Sequence, residues 1–318
     1  MIRLKKQYEG KSAVVIMGGP SIIENNLDLG LIDKNKYTIF LESKSLTPYF
    51  LSYKLIPDFF LMFFPEKCHA NALQQVIYQS LLAGIDLSRL LKPDYLRQYY
   101  DLKDNFDNYF EVWNPERSPH KKYKFKNHVV LENSPFSLLP ELPNTAIITR
   151  IKSEERFAYL NKLKNERFVY GDRLIKENFQ LEKYFNPEEV NGCLMLNGYG
   201  SVNSAAIALF PILNYMGFKK IYFIGMDMSM LGSLEYSSLY TFRSLRHYAK
   251  FFKKARAVFN FNFIENKKKF MRPPYEFENF KQIFRYDKIE FINIFEPFEF
   301  ALPLEGMRHI TFYEFLNE

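Results

Sequence analysis

The sequence predicts an α/β protein built on a doubly wound, mostly parallel sheet. Strand and helix patterns alternate along most of the chain, as they do where crossover helices connect parallel strands. The run Ile221-Tyr222-Phe223-Ile224 is apolar at successive positions, as expected for a strand covered on both faces. The first strand continues directly into Gly18-Gly19-Pro20-Ser21, a turn of small residues that starts a helix.

The elements follow from the period of apolar residues and from the positions of helix and strand breakers. Strands are predicted at 12–17, 37–42, 57–63, 128–132, 145–150, 166–170, 219–225 and 288–294. Helices are predicted at 20–29, 68–82, 151–164, 173–184, 200–216, 236–259 and 276–286.

Changes in composition suggest three parts of the chain. Residues 1–83 are expected to form the N-terminal part of a Rossmann-like nucleotide-binding domain. Residues 84–127 are rich in Tyr, Asp, Asn and Lys, and they are expected to form a helical insertion or lid. Residues 128–318 are expected to complete the α/β domain with a C-terminal strand and tail.

Composition excludes several classes of protein. The 318 residues are 47% hydrophobic and 25% charged, which is typical of a globular protein. Cys68 and Cys193 have no paired spacing, so neither a disulfide framework nor a thiolate metal site is predicted. A cytoplasmic location is expected, since no stretch has the length and apolarity of a signal sequence or membrane-spanning helix. The net charge of +7 favours anionic partners.

The turn after the first strand is a candidate phosphate site. Gly18 and Gly19 let the backbone approach a ligand closely, and Pro20 presets the first helical turn. Ser21 adds a hydroxyl beside amide N–H groups that a helix start leaves unpaired. The alternative is an ordinary strand-to-helix turn.

A second loop, helix, strand and loop follows between residues 197 and 229. Its last strand leads into Gly225 and Asp227, at the end of the sheet where ligands collect in open α/β proteins. A carboxylate there can serve as a base, a ribose contact or a cation ligand, or it can cap the following turn. The small and polar residues proposed to contact the nucleotide or sugar are Gly200, Ser201, Asn203 and Ser204.

Helix 236–259 is predicted to carry a basic face. Positive side chains recur along it, and Lys267-Lys268-Lys269 with Arg272 continue the charge. A solvated helix surface is one interpretation, and a peripheral contact with the anionic inner face of a membrane is the other. No nucleic-acid partner is predicted, because no nucleic-acid-binding motif accompanies these residues.

The order of these motifs resembles a known superfamily. Gly18-Gly19-Pro20-Ser21, then Gly200-Ser201-Val202, then the run from Gly217 to Asp227 are similar to the motility accessory factor and MptE-like group, a former domain of unknown function. They also resemble the bacterial sialyltransferases that use CMP-sialic acid. The resemblance implies that the Gly-Pro-Ser loop holds the nucleotide phosphate and that the strand ending at Asp227 lies beside the sugar. The tail, 289–293 and 310–316, resembles the closing elements of the MptE-like group.

The chain departs from the sialyltransferase pattern at three places. Met271-Arg272 stand where that family has a catalytic histidine, and Glu42-Ser43 and Phe64-Pro65 stand where it has asparagines. Tyr236 or Tyr240 corresponds to the tyrosines that the family places near the leaving phosphate. Any transfer reaction would therefore need other catalytic groups.

The resemblance implies a sialyltransferase-like glycosyltransferase. It would move an acidic, sialic-acid-like sugar from a CMP-activated donor to a glycan, glycolipid or protein acceptor, with no further cofactor. The backbone N–H groups of 18–22 and Ser21 would hold the leaving phosphate. Tyr236 or Arg272 would neutralise its charge, and Asp227 or Glu42 would accept the proton of the acceptor hydroxyl.

Two alternatives stay open. An MptE-like diphosphokinase would use ATP and Mg²⁺, and it would need several carboxylates, for which Asp227, Glu42 and Asp58 are the candidates. A noncatalytic nucleotide-sugar-binding or assembly protein would keep the fold without the reaction.

Overall fold

The computed structural model places the central sheet and the elements around it. It describes residues 6–19, 21–42, 53–62, 72–82, 84–113, 122–126, 134–149, 168–170, 209, 212–214, 216–227, 243, 247, 289–297, 303 and 307–318. Ten strands lie in these ranges: β1 (Ser12–Ile16), β2 (Tyr37–Glu42), β3 (Phe59–Leu61), β4 (Phe110–Trp113), β5 (Lys122–Phe125), β6 (Ala146–Thr149), β7 (Phe168–Tyr170), β8 (Lys220–Ile224), β9 (Glu290–Ile294) and β10 (Arg308–Ile310).

Eight of these strands form one parallel sheet in the order β10-β9-β8-β1-β2-β3-β6-β7. The chain starts at β1, runs outward through β2, β3, β6 and β7, and then returns to place β8 on the other side of β1. Ser12 of β1 pairs with Tyr37 of β2 and with Lys220 of β8. The predicted doubly wound α/β fold is confirmed.

Both faces of the sheet are buried, which explains the apolar runs in its strands. On one face, Val14, Ile39, Phe60 and Ile224 belong to the main hydrophobic cluster. On the other face, the Phe40 ring stacks on the Phe59 ring with centroids 4.7 Å apart, and it meets the Phe218 ring edge to face. Aromatic residues therefore fill space on a face where β-branched residues are the usual choice.

Six helices and three 3₁₀ turns have their bounds within the described residues. They are α1 (Ser21–Glu24), α2 (Ala72–Leu82), α3 (Leu96–Asp104), α4 (Phe106–Tyr109), α5 (Pro135–Leu138) and α6 (Phe312–Asn317), with 3₁₀ turns at Leu29–Leu31, Pro93–Tyr95 and Leu139–Glu141. The predicted helix 20–29 is wrong beyond residue 24. Asn26 adopts a left-handed backbone with φ of +50°, which ends a helix, and Asp28 then caps the 3₁₀ turn by accepting from Gly30 N–H.

The described part of the segment 84–127 contains the short helices α3 and α4 and an antiparallel pair, β4 with β5, which was not predicted from the sequence. The Phe110 ring of β4 stacks on the Tyr78 ring of α2, with centroids 4.5 Å apart. Leu87, Leu91 and Tyr99 belong to the main buried cluster beside the sheet. In the described residues, the segment thus packs on the α/β core.

Within the predicted helix 236–259, the structure describes only Arg243 and His247. Arg243 lies in a bend, and its backbone N–H donates to Leu90 O at 2.9 Å while its Nε donates to Leu91 O at 3.0 Å. Its guanidinium is thereby engaged with a neighbouring loop. The other basic residues predicted on this helix, the strand 128–132 and the helices 151–164, 173–184 and 276–286 lie outside the described residues.

The C-terminal elements hold β9 in place. Helix α6 starts with a capping box, in which Thr311 and Glu314 each bond the other's backbone N–H. Phe312 and Phe315 on α6 are buried in the main cluster. At the amino-terminal ends of β8, β9 and β10, Glu318 bonds Lys220 at 3.0 Å and Arg308 at 2.5 Å. Glu290 of β9 pairs with the same Lys220 and Arg308, at 3.7 and 3.0 Å, so these contacts join β8, β9 and β10 at the edge opposite the carboxyl ends of the strands.

Candidate functional site

The point where the sheet reverses its strand order lies between β1 and β8. The strands after β1 extend to one side, and β9 and β10 extend to the other. In open α/β sheets with this reversal, ligands bind in the crevice above the carboxyl ends of the two central strands. The two loops that leave these strand ends are the loops singled out from the sequence.

The loop after β1 touches the loop after β8. A Cβ atom on Gly19 would lie 2.1 Å from the carbonyl oxygen of Gly225 and 2.5 Å from Oδ2 of Asp227. Gly225 has a left-handed φ of +70°, and a Cβ there would lie 2.9 Å from Met17 O. No side chain larger than hydrogen fits at either position without displacing backbone, so close approach of the two loops explains both glycines.

A buried hydrogen-bonded pair joins the same loops. Ser21 N–H donates to Oδ2 of Asp227 at 2.7 Å, and the Ser21 hydroxyl donates to Oδ1 at 2.6 Å. Ser21 is 1% exposed and Asp227 is 4% exposed. The carboxylate thus occupies the anion position in front of the first residue of α1, although 206 residues separate the two partners.

Burial raises the pKa of Asp227 to about 6, from an ordinary value of 3.8. The two hydrogen bonds from Ser21 favour the ionised form and oppose this rise without cancelling it. The carboxyl group is therefore half-protonated near pH 6, and above that pH its charge is held by the two Ser21 donors.

Two backbone donors at this edge have no acceptor among the described residues. Within the described part of the chain, the N–H groups of Gly18 and Gly19 make no hydrogen bond, whereas Met17 N–H donates to Ile224 O at 2.8 Å. Gly19 is buried and Gly18 is half-buried. Unpaired N–H groups in a glycine turn are suited to an anionic oxygen.

Asn293 of β9 was missed by the sequence analysis. Its side chain is 1% exposed, and its Nδ2 lies 3.5 Å from the carbonyl oxygen of Met226, the residue before Asp227. Its Oδ1 has no hydrogen-bond partner among the described residues. The signal in the sequence was a lone amide in the apolar run Phe291-Ile292-Asn293-Ile294.

The other predicted carboxylates lie at opposite edges of the sheet. Glu42 ends β2, next to β1, and it is half-buried; it makes no ion pair or hydrogen bond with the described residues. Asp58 precedes β3, where its Oδ2 accepts from Ile39 N–H at 2.7 Å. The length of β3 separates Asp58 from the carboxyl edge by about 10 Å. Asp58 is therefore not part of a carboxylate cluster with Asp227.

The donors of Ser21 have a different partner from the expected one. The sequence predicts that the Ser21 N–H and hydroxyl hold a phosphate, whereas in the structure both donate to Asp227. Phosphate binding by Ser21 would require the carboxylate to move. The predicted site residues outside the described part of the chain are Pro20, Gly200, Ser201, Asn203, Ser204, Tyr236 and Arg272.

Two kinds of feature are absent from the described residues. No cluster of three or more His, Cys, Asp or Glu side chains there could hold a metal ion. None of the helices in that part of the chain combines the length and apolarity needed to cross a membrane.

Comparisons with known proteins give two distant structural similarities. No family model and no curated protein matches the chain. One solved structure is the sialyltransferase CstII from Campylobacter jejuni in complex with the substrate analogue cytidine-5'-monophosphate, at 13% identity and a TM-score of 0.37; the match covers 90% of this chain and 80% of that one. Another is CstII with CMP-3FNeuAc, at 13% identity and a TM-score of 0.35, with 89% and 79% covered. At these TM-scores, the similarities carry no inference about the site.

Gly19→Ala should lower the free energy of unfolding by about 3 kcal/mol, because the added methyl group overlaps the Gly225 carbonyl and the Asp227 carboxylate. The matched control is Gly30→Ala, whose Cβ would meet only the exposed Asp28 carboxylate at 3.0 Å and Tyr53 atoms at 3.8 Å or more. Its loss should stay within about 1 kcal/mol. Urea unfolding at pH 7 measures both, and equal losses would contradict the contact between the loops.

Asp227→Asn should change how stability depends on pH. The folded-state pKa of about 6 exceeds the unfolded value, so the native protein binds the proton more tightly and loses stability as pH rises from about 4 to about 6. An asparagine can still accept from Ser21 N–H, and its amide can donate to the Ser21 hydroxyl, but it does not titrate.

The unfolding free energy of the wild type, minus that of the variant, should therefore fall by about 3 kcal/mol between pH 3 and pH 7. Urea titrations across this range give the difference directly. A difference that stays constant with pH would show that the Asp227 carboxyl is not desolvated.

Proposed function

We propose that this protein is a glycosyltransferase that moves an acidic, sialic-acid-like sugar from a CMP-activated donor to a glycan, glycolipid or protein acceptor. One observation carries the proposal. The two loops that hold the sequence motifs, one after β1 and one after β8, meet at the point where the sheet reverses its strand order. The sequence motifs and the sheet topology therefore both favour this edge of the sheet as the location of the nucleotide site.

The phosphate would be held by the backbone of the first loop. The unpaired N–H groups of Gly18 and Gly19 supply donors there without any charged side chain. Ser21 and Asp227 hold the two loops together, so their part in phosphate binding is to fix the position of these donors. Preorganised donors of this kind stabilise charge that develops on a leaving group.

Glu42 fits the role of the general base, which accepts the proton of the acceptor hydroxyl, better than Asp227 does. Both oxygens of Asp227 already accept hydrogen bonds and the group is almost fully buried, whereas Glu42 is half-buried with no partner in the described chain. An acceptor hydroxyl must come within hydrogen-bond distance of its base. Tyr236 and Arg272 remain the proposed groups for neutralising the leaving phosphate.

The arrangement of carboxylates does not favour the diphosphokinase. That reaction needs several carboxylates around metal-bound phosphates. Of the three candidates, Asp58 lies at the amino-terminal edge of the sheet and Asp227 is engaged with Ser21. Glu42 alone does not make a two-phosphate magnesium site.

The proposal predicts that CMP binds without Mg²⁺, with a dissociation constant below about 1 mM, and that ATP with Mg²⁺ binds more weakly. Gly225→Ala should weaken CMP binding at least about tenfold, because a methyl group there would push on Met17 O and the Gly19 N–H. Isothermal titration calorimetry measures both effects. Gly84→Ala is the control, since Gly84 has a similar φ of +63° with open space around it.

A turnover assay then separates a transferase from a binding protein. Incubation with CMP-N-acetylneuraminic acid and a panel of glycan acceptors should release CMP in proportion to the sugar transferred. Tight ATP-Mg²⁺ binding with no CMP binding would overturn the proposal in favour of a kinase. CMP binding with no transfer to any acceptor and no donor hydrolysis would indicate the noncatalytic alternative.

A further inference from the structure

Asn293 stands out among the buried residues of the sheet. Its neighbours Phe291, Ile292 and Ile294 in β9 are buried and apolar, as a parallel strand covered on both faces requires. A buried amide oxygen without a partner destabilises the folded protein relative to a satisfied one. Such a group is uncommon in native proteins, and it calls for a physical explanation.

The position of Asn293 links it to the candidate site. It pairs in register with Phe223, two residues before Gly225, and its side chain reaches forward to the Met226 carbonyl oxygen. Met226 leads into Asp227, whose carboxylate faces Ser21. The Asn293 amide therefore lies at the carboxyl edge of β9, directly behind the loop that follows β8.

The contact with Met226 also indicates how the Asn293 side-chain amide is oriented. Since Nδ2 lies against a carbonyl oxygen, Oδ1 is left as the free atom, and it can only accept a hydrogen bond. A phosphate oxygen or a carboxylate would be repelled there. The matching group on a ligand is an N–H or O–H donor.

We propose that Asn293 is a ligand-positioning and specificity-determining residue, whose Oδ1 accepts a hydrogen bond from an N–H or O–H group of the nucleotide. The proposal deepens the function given above and rests on it. Two parts of a cytidine nucleotide offer such a donor: the exocyclic amino group of the base and the hydroxyls of the ribose. The base carries the amino group in CMP and a carbonyl oxygen at the same place in UMP.

The test compares three variants with the wild type. Asn293→Leu keeps the branching of the side chain, and Asn293→Val is one heavy atom smaller, so that overpacking in one variant does not decide the result. Thr145→Val is the control. Thr145 is also a buried polar residue, but it precedes β6 at the opposite edge of the sheet, and its hydroxyl donates to Pro57 O at 2.7 Å.

We expect both Asn293 variants to be as stable as the wild type in urea, and to bind CMP at least about tenfold more weakly by calorimetry. Thr145→Val should be less stable and should bind CMP as the wild type does. If the donor is the base amino group, the wild type prefers CMP to UMP and the Asn293 variants lose that preference. If the donor is a ribose hydroxyl, the variants lose affinity for CMP and UMP equally.

Affinities for CMP within twofold of the wild type in both Asn293 variants would overturn the proposal while leaving the proposed function intact. Absence of CMP binding by the wild type would overturn the proposed function itself. The two failures are distinguished by the wild-type titration alone.

Discussion

The buried contact between Ser21 and Asp227 is the constraint on which the candidate site depends. It joins residues 206 positions apart, and it is made only because the chain returns after β7 to lay β8 against β1. The carboxylate satisfies the first N–H of α1 and the serine hydroxyl at once, so three polar groups are buried without an unsatisfied donor. This contact requires glycine at positions 19 and 225, because a side chain on Gly19 or Gly225 would force the loops apart.

Beside the hydrogen-bonded pair of Ser21 and Asp227, some polar atoms of the described residues have no hydrogen-bond partner. They are the N–H groups of Gly18 and Gly19 and the Oδ1 atom of Asn293, which have no partner within the described part of the chain. The two N–H groups suit an anionic oxygen and the amide oxygen suits an amino or hydroxyl group, as the proposed nucleotide ligand requires. Because Asp227 is buried, its carboxylate is suited to holding these polar atoms in position. It is less suited to taking a proton from the hydroxyl of a sugar acceptor that enters from solvent.

The sequence was informative where local patterns decide the outcome. The apolar runs of β1, β2 and β8 and the glycines that follow two of them predicted the parallel sheet and the loops at its edge. The Ser21–Asp227 bond could not be predicted, because it depends on strand order, which no local pattern encodes. Helix α1 ended early because Asn26 took a left-handed conformation, and Asn293 was missed because one amide in an apolar strand changes its periodicity very little.

A double-mutant cycle on Ser21→Ala and Asp227→Ala, with urea unfolding at pH 7, measures this constraint most directly. If the Ser21 hydroxyl bonds the buried carboxylate, the losses in the free energy of unfolding of the two single variants are not additive. The expected coupling free energy is about 1.5–3 kcal/mol. Losses that add to within about 0.5 kcal/mol would show that the Ser21 hydroxyl does not bond the Asp227 carboxylate, and they would contradict the contact on which the candidate site depends.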